Sequence, residues 1–352
     1  MTKPLTITMS EYPAYDGNPA TVIELKNKAG MTATFMDIGA TWLSCRLPLP
    51  NGELRELLLG TKDFEQFLLQ ECYMGALVGR YANRIAGGEF SIEGRKYQVD
   101  TNQAGNCLHG GPDGFDKRRW DIRLLTESVV EFSLTSIDGD QGFPGNVVIS
   151  VQYALSEKGE VRIEYKATTD KTTPINLTNH AYFNLSGGTD GRDVRDHYLQ
   201  VEATHYIPTT DVGIPLGHLA EVESTSFDFR QSKAINQHFL QDEQQVAAKG
   251  YDHCFTFDPT RDMALPVVTL KAPDSLVTLQ IFTTKPGIQV YTGNWLAGAG
   301  NRKGDQYSDY AGVALETQYY PDSVNHPEWG APCSILKPDT QYHHVTVYQF
   351  SA

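Results

Sequence analysis

The residues with the clearest chemical potential lie in a few polar segments. In Asn176-Leu177-Thr178-Asn179-His180-Ala181-Tyr182-Phe183-Asn184, His180 stands among Asn179, Tyr182 and Asn184, groups that each need a partner if buried. An imidazole with an ordinary pKa near 6.5 can give up and recover a proton at neutral pH, although a satisfied core or loop histidine reads equally well from these residues alone. Glu316 follows the apolar run Val313-Ala314-Leu315. A carboxylate entering a core is costly unless bonded or functional. On its own, Glu316 reads slightly better as a strand-end residue facing water, and Asp252, in Lys249-Gly250-Tyr251-Asp252-His253, as a turn residue. Asn83 and Arg84, in Gly79-Arg80-Tyr81-Ala82-Asn83-Arg84-Ile85, could aim donors at a hydroxylated ligand, since a guanidinium carries several fixed N–H groups. Read singly, Arg84 is as readily a surface arginine with its stem on a sheet. His109 lies in Leu108-His109-Gly110-Gly111-Pro112-Asp113-Gly114, where glycines allow close backbone approach. By itself it is an incidental loop histidine.

Other chemistries are disfavoured by pattern. The ten histidines show no HxH or HExxH spacing, and His343 and His344 are adjacent on an expected strand, pointing to opposite faces, so no metal site is expected. No P-loop and no strand–GxGxxG–helix unit occurs, and no helical pattern follows the glycines after His109, so phosphate and nucleotide cofactors are not expected either.

The chain has 352 residues, with 29 Lys and Arg against 43 Asp and Glu, a net charge of −14. That balance argues against nucleic acid and anionic membrane surfaces as partners and leaves a neutral small molecule. No apolar stretch approaches a membrane span, and the N-terminal residues do not have the pattern of a secretory signal. The five cysteines, Cys45, Cys72, Cys107, Cys254 and Cys333, are odd in number and never in CxxC spacing. Reduced thiols in a cytoplasm are the expectation, which leaves the sequons at Asn176 and Asn184 without meaning as glycan sites.

The elements that must position these residues are strands. Period-two alternation runs through Val147, Ile149, Val151, Tyr153 and Leu155, through Val161, Ile163, Tyr165 and Ala167, through Val130, Phe132 and Leu134, and through Val277, Leu279 and Ile281. Ser156-Glu157-Lys158-Gly159 and Glu93-Gly94 read as hairpin turns. Helical pattern is confined to residues 63–70 and 235–249, the second capped by Gly250. The expectation is an all-β protein, a large antiparallel β-sandwich with few short helices, in one domain over residues 1–352.

Taken together, the polar segments resemble the aldose 1-epimerase (galactose mutarotase) family, most closely its enterobacterial-type members. The resemblance runs from Gly39-Ala40-Thr41 to Tyr348-Gln349-Phe350. Its most specific stretches are Gly79 to Ile85, Leu108-His109-Gly110-Gly111, Asp138-Gly139-Asp140-Gln141-Gly142-Phe143-Pro144-Gly145-Asn146, Thr178 to Leu185, and Leu315-Glu316. It implies a supersandwich of the mutarotase type with a sugar bound in an open cleft on one sheet, and no cofactor or metal. It also implies roles: Glu316 as general base on the anomeric hydroxyl, His180 as general acid on the ring oxygen, and His109 near the anomeric oxygens. Asn83, Arg84, Asp252 and Gln289 would hold the sugar hydroxyls, with Tyr182 in the same patch. The implied activity is exchange of the α- and β-anomers of aldohexoses such as galactose and glucose, by a monomer or homodimer. The carboxylate would give an acidic limb between pH 4 and 8. Rival readings are a non-catalytic sugar-binding protein, a glycoside hydrolase pairing Glu316 with Asp252, and an enzyme acting on a phosphorylated hexose. The last would call for added cationic residues, which the net charge does not suggest.

Overall fold

The computed structural model describes residues 5–189, 192–330 and 334–352. Three antiparallel sheets of five, nine and six strands hold most of the strands among the described residues. The nine-stranded sheet is built on the expected alternating runs. Its central strands are Val129–Ser136, Val147–Leu155, Glu160–Thr169, Tyr342–Ser351 and Thr278–Thr283, paired in that order. Val147, Ile149, Val151, Tyr153 and Leu155 are buried while the intervening residues are partly or fully exposed, the outcome that period-two patterning dictates. Both expected hairpins form. Leu155 pairs with Val161 around the first turn, and Ile92 pairs with Arg95 around Glu93-Gly94, both at positive φ as a two-residue turn requires.

The sheets meet in an aromatic cluster. Phe35 and Trp42 come from the five-stranded sheet, Tyr153 and Tyr348 from the nine-stranded sheet, and Phe183 from the six-stranded sheet. Phe35 lies 4.5 Å from Tyr153, Trp42 5.3 Å from Tyr348, and Phe183 5.5 Å from Tyr348, centroid to centroid. Rings at these separations attract beyond simple burial, so the cluster ties the layers together.

The six-stranded sheet carries the polar residues. Its order is Tyr182–Phe183, Val313–Gln318, Gly287–Tyr291, Asp252–Thr256, His205–Ile207 and Ala220–Glu221. Register sets its surface in rows. Glu316 stands opposite Gln289, which stands opposite Cys254. In the next row Tyr182 faces Ala314, Ala314 faces Tyr291, and Tyr291 faces Asp252.

Two α-helices are present among the described residues. The first, Phe64–Leu69, starts where the sequence indicates, with the Asp63 carboxylate accepting from the Gln66 N–H. The second is shorter than expected: it spans Glu243–Ala248, not residues 235–249. His238 and Leu240 take left-handed backbone conformations and the Leu240 N–H bonds to the Gln245 side chain, so the chain cannot enter a helix before the Asp242 cap. Lys249, not Gly250, is the left-handed C-cap. The charged segment around Arg192 to Asp196, read as a solvated loop, contains a short 3-10 turn at Val194–Asp196 with Val194 buried. The four described cysteines are free thiols, and Cys333 lies outside the described residues.

Candidate active site

Glu316 is in the middle of its strand, not at the water-facing end: the strand continues to Gln318 and the side chain is 2% exposed. His180 follows the short strand Thr178–Asn179 and is equally enclosed. Its backbone is fixed on both sides, its N–H donating to Ala76 (2.8 Å) and its carbonyl accepting from Gly75 (2.9 Å). These two residues, 136 apart in the chain (316 − 180), bring Nε2 of His180 to 3.6 Å from Oε1 of Glu316.

His109 completes the centre. Strand pairing of Leu108 with Arg84 and of Cys107 with Ile85 sets the two polar loops side by side. The Asn83 carbonyl accepts from the His109 N–H, and the Asn83 N–H donates to Nδ1 of His109, both at 3.0 Å. This second bond fixes the tautomer, because Nδ1 must be bare to accept and Nε2 therefore carries the proton. His109 is thus a donor at Nε2. The backbone that makes this possible needs glycine: a Cβ on Gly110, at φ +92°, would lie 2.1 Å from the Gly79 carbonyl oxygen.

Around the three groups lies an open cleft of about 770 Å³, lined also by Asn83, Arg84, Asp252 and Tyr182. Arg84 is braced by the Gln103 side chain (Nε to Oε1, 2.7 Å) and by Asp252 (Nη2 to Oδ2, 3.8 Å). Gln289 is not in the lining; it is 2% exposed and donates to Oδ1 of Asp252 at 2.7 Å. This bond orients the Asp252 carboxylate. Tyr182 lines the cleft with its ring, while its hydroxyl is engaged by the Cys72 carbonyl at 3.0 Å. Sequence reasoning missed Tyr73, Tyr291, Trp295 and Gln103, all of which line the cleft. The polar segments around them gave no signal, because an aromatic before Met74 or after Asn294 has no periodic or motif context.

The electrostatics follow from burial. Desolvation pushes the Glu316 carboxyl well up, with the Asp252 charge adding to this and Arg84 opposing it. Desolvation also pushes His180 down to about 4, with Asp252 opposing, and His109 well down, aided by His180 and Arg84. For Glu316 and His180 the carboxylic acid–imidazole form and the carboxylate–imidazolium form hold the same number of protons. Either form offers one acid and one base.

One atom from each of His109, His180 and Glu316 lies within 4.8 Å of the others, a spacing that could suit a metal ion. The donor set does not fit one. A ligating histidine needs a bare nitrogen toward the ion, and the Asn83 N–H claims the bare nitrogen of His109.

The sequence model of the aldose 1-epimerase family matches residues 21–349. The chain is 45% identical over 346 residues to the aldose 1-epimerase of Escherichia coli, covering 98% of this chain and 99% of that protein. It is 48% identical over 344 residues to the aldose 1-epimerase of Haemophilus influenzae, with the same coverage. A solved structure of an aldose epimerase homologue from C. elegans superimposes with a TM-score of 0.85 at 29% identity, covering 98% of this chain and 99% of that one. On sequence and fold together, the chain belongs to the aldose 1-epimerase family.

Proposed function

We propose that the protein is an aldose 1-epimerase that interconverts the α- and β-anomers of free aldohexoses such as galactose and glucose. The observation that carries this reading is the 3.6 Å approach of His180 to Glu316 on the wall of a cleft that also presents Asn83, Arg84, Asp252 and His109. Anomer exchange requires the hemiacetal to open and to close on the other face. In opening, the Glu316 carboxylate takes the C1 hydroxyl proton as the C1=O bond forms. The bond from C1 to the ring oxygen breaks, and His180 gives that oxygen a proton. The pair passes from carboxylate–imidazolium to carboxylic acid–imidazole, the form burial favours. After rotation about C1–C2 the same transfers run backwards, so the enzyme ends as it began. The His109 Nε2–H supports the anomeric oxygen as it gains carbonyl character. Asn83, Arg84 and Asp252 hold the other hydroxyls, with Gln289 acting through Asp252, while C1 remains free to turn.

No helix among the described residues is long and apolar enough to cross a membrane. With the free thiols, this supports a cytoplasmic setting. We read the working form as a monomer or homodimer without metal or cofactor. Polarimetry of freshly dissolved α-galactose and α-glucose tests the proposal. Accelerated approach to the equilibrium rotation, without cleavage of added galactosides or glucosides, is expected. An unchanged spontaneous rate with both sugars would overturn it.

A further inference from the structure

Tyr73 touches both histidines of the site and has no role in the mechanism above. Its ring stacks on His180 at 26° with centroids 5.9 Å apart and meets His109 edge-on at 67° and 4.6 Å. The residue has φ +57°, a left-handed conformation that a bulky side chain adopts only when its surroundings impose it. Here they do. The Gln70 side-chain oxygen accepts from the N–H groups of Cys72 (3.0 Å) and Met74 (3.2 Å), gripping the chain on either side of Tyr73. The Tyr182 hydroxyl holds the Cys72 carbonyl, and the Ala76 N–H donates to the Tyr73 carbonyl at 3.0 Å. The same turn fixes the His180 backbone through Gly75 and Ala76. An unfavourable backbone, clamped by the Gln70 and Tyr182 side chains, aims one aromatic ring at two imidazoles.

We infer that Tyr73 is a positioning residue: its ring holds the imidazoles of His180 and His109 in their working orientations and keeps water from both. This deepens, and rests on, the acid–base reading of the site. Tyr73 acts through the histidines and not on the sugar's hydroxyls, so its loss falls on turnover more than on affinity. His180 also faces Glu316, His109, Tyr182, Tyr291 and Asp252, and His109 faces Arg84. Asp116 lies near Tyr73 itself. All of these remain when Tyr73 is replaced, so a change in histidine titration reports the ring.

The test compares Tyr73→Leu and Tyr73→Met, which keep apolar bulk without the ring, with Tyr73→Phe, which keeps the ring. Steady-state polarimetry with galactose gives kcat and KM, and NMR titration of the histidine ring signals follows protonation. In the Leu and Met variants kcat is expected to fall about tenfold or more with KM changed less than about threefold. The His180 titration is expected to move up by about one pH unit as water enters. Tyr73→Phe is expected to restore both. Wild-type kcat and titration in the Leu and Met variants would overturn the inference, as would a Phe variant no better than Leu. If the wild-type protein does not accelerate mutarotation, the functional reading fails by that result, and the NMR titration still decides the role of Tyr73.

Discussion

In the proposed mechanism the protonation of Glu316 and His180 sets the pH dependence of the site. Lowering the pH adds a second proton to the pair, onto an imidazole that burial holds at about 4, and the base is then lost. Raising the pH removes the one proton from a pair whose carboxyl is pushed upward, and the acid is then lost. The acidic limb of the kcat profile is therefore expected to be centred near 4. This places the acidic limb at the low end of the pH 4–8 range expected from the sequence, and on His180 where the sequence put it on Glu316. A limb near the ordinary imidazole value of about 6.5 would show that His180 is solvated and that the enclosure described here does not hold in solution. Read singly, Glu316, Asp252 and His109 pass for a strand-end, a turn and a loop residue. Only the joint resemblance of their segments to one family grouped them with His180, Asn83 and Arg84, and the structure brings all six to one cleft. The burial of Glu316 was not legible. Val-Ala-Leu-Glu reads as a strand running out into water, and only the continuation of the strand to a fully buried Gln318 reverses that reading.

Elements place these groups through two loops and one register. The loop carrying His109 depends on Gly110, whose Cβ position is filled by the Gly79 carbonyl. Gly110→Ala is expected to cost about 1–3 kcal/mol from the backbone conformation alone, more with the clash, and to lower turnover by displacing His109. Urea denaturation and polarimetry on the same preparation check both effects, and a variant with wild-type stability and rate would refute the close approach. Register makes the second case. Gln289 stands directly opposite Glu316 and donates to Asp252 on the neighbouring strand. Gln289→Leu is expected to raise KM for galactose about tenfold or more, since a hydrogen bond to a charged group is worth about 1.5–3 kcal/mol, with a smaller effect on kcat. An unchanged KM would place Asp252 outside sugar binding. Period-two alternation revealed the strands because each has one face in the core, as Val147–Leu155 does. It could not reveal Tyr73, Trp295 or Gln103, which reach the cleft from turns whose direction is set by contacts distant in sequence. The helix expected from residue 235 starts late for a local reason instead: left-handed backbone at His238 and Leu240 and the Asp242 cap override the apolar spacing.

At the scale of the molecule, the aromatic cluster joining three sheets leads us to propose that the chain folds as one unit. Urea unfolding followed by fluorescence and by circular dichroism should then give a single shared midpoint, and two separated transitions would contradict this. Buried histidines give that unit a pH dependence. Nδ1 of His197 lies 3.0 Å from the Val194 carbonyl and Nε2 accepts from the Leu185 N–H at 3.0 Å, so the folded ring is neutral, its pKa lowered to about 4 chiefly by burial. The unfolded chain takes up a proton near 6.5, so this contribution to stability is complete above 6.5 and is lost as pH falls from there toward 4. Asp116, raised to about 6 by burial, works in the opposite sense, because the folded state gains its proton first. The histidine's share is isolated by comparison with His197→Asn. Between pH 7 and 5 the wild type should lose on the order of 2 kcal/mol more than the variant. Parallel losses in the two proteins would mean that His197 is not held neutral.

The most direct test of the central claim, that Glu316 and His180 carry the proton transfers across one sugar site, is to measure turnover and sugar affinity separately in Glu316→Gln and His180→Asn. Polarimetry should show kcat for galactose reduced by about 10²–10⁴-fold in each. Calorimetric titration should show galactose bound within a few-fold of the wild-type affinity. Wild-type rates of anomer exchange in Glu316→Gln would contradict the account.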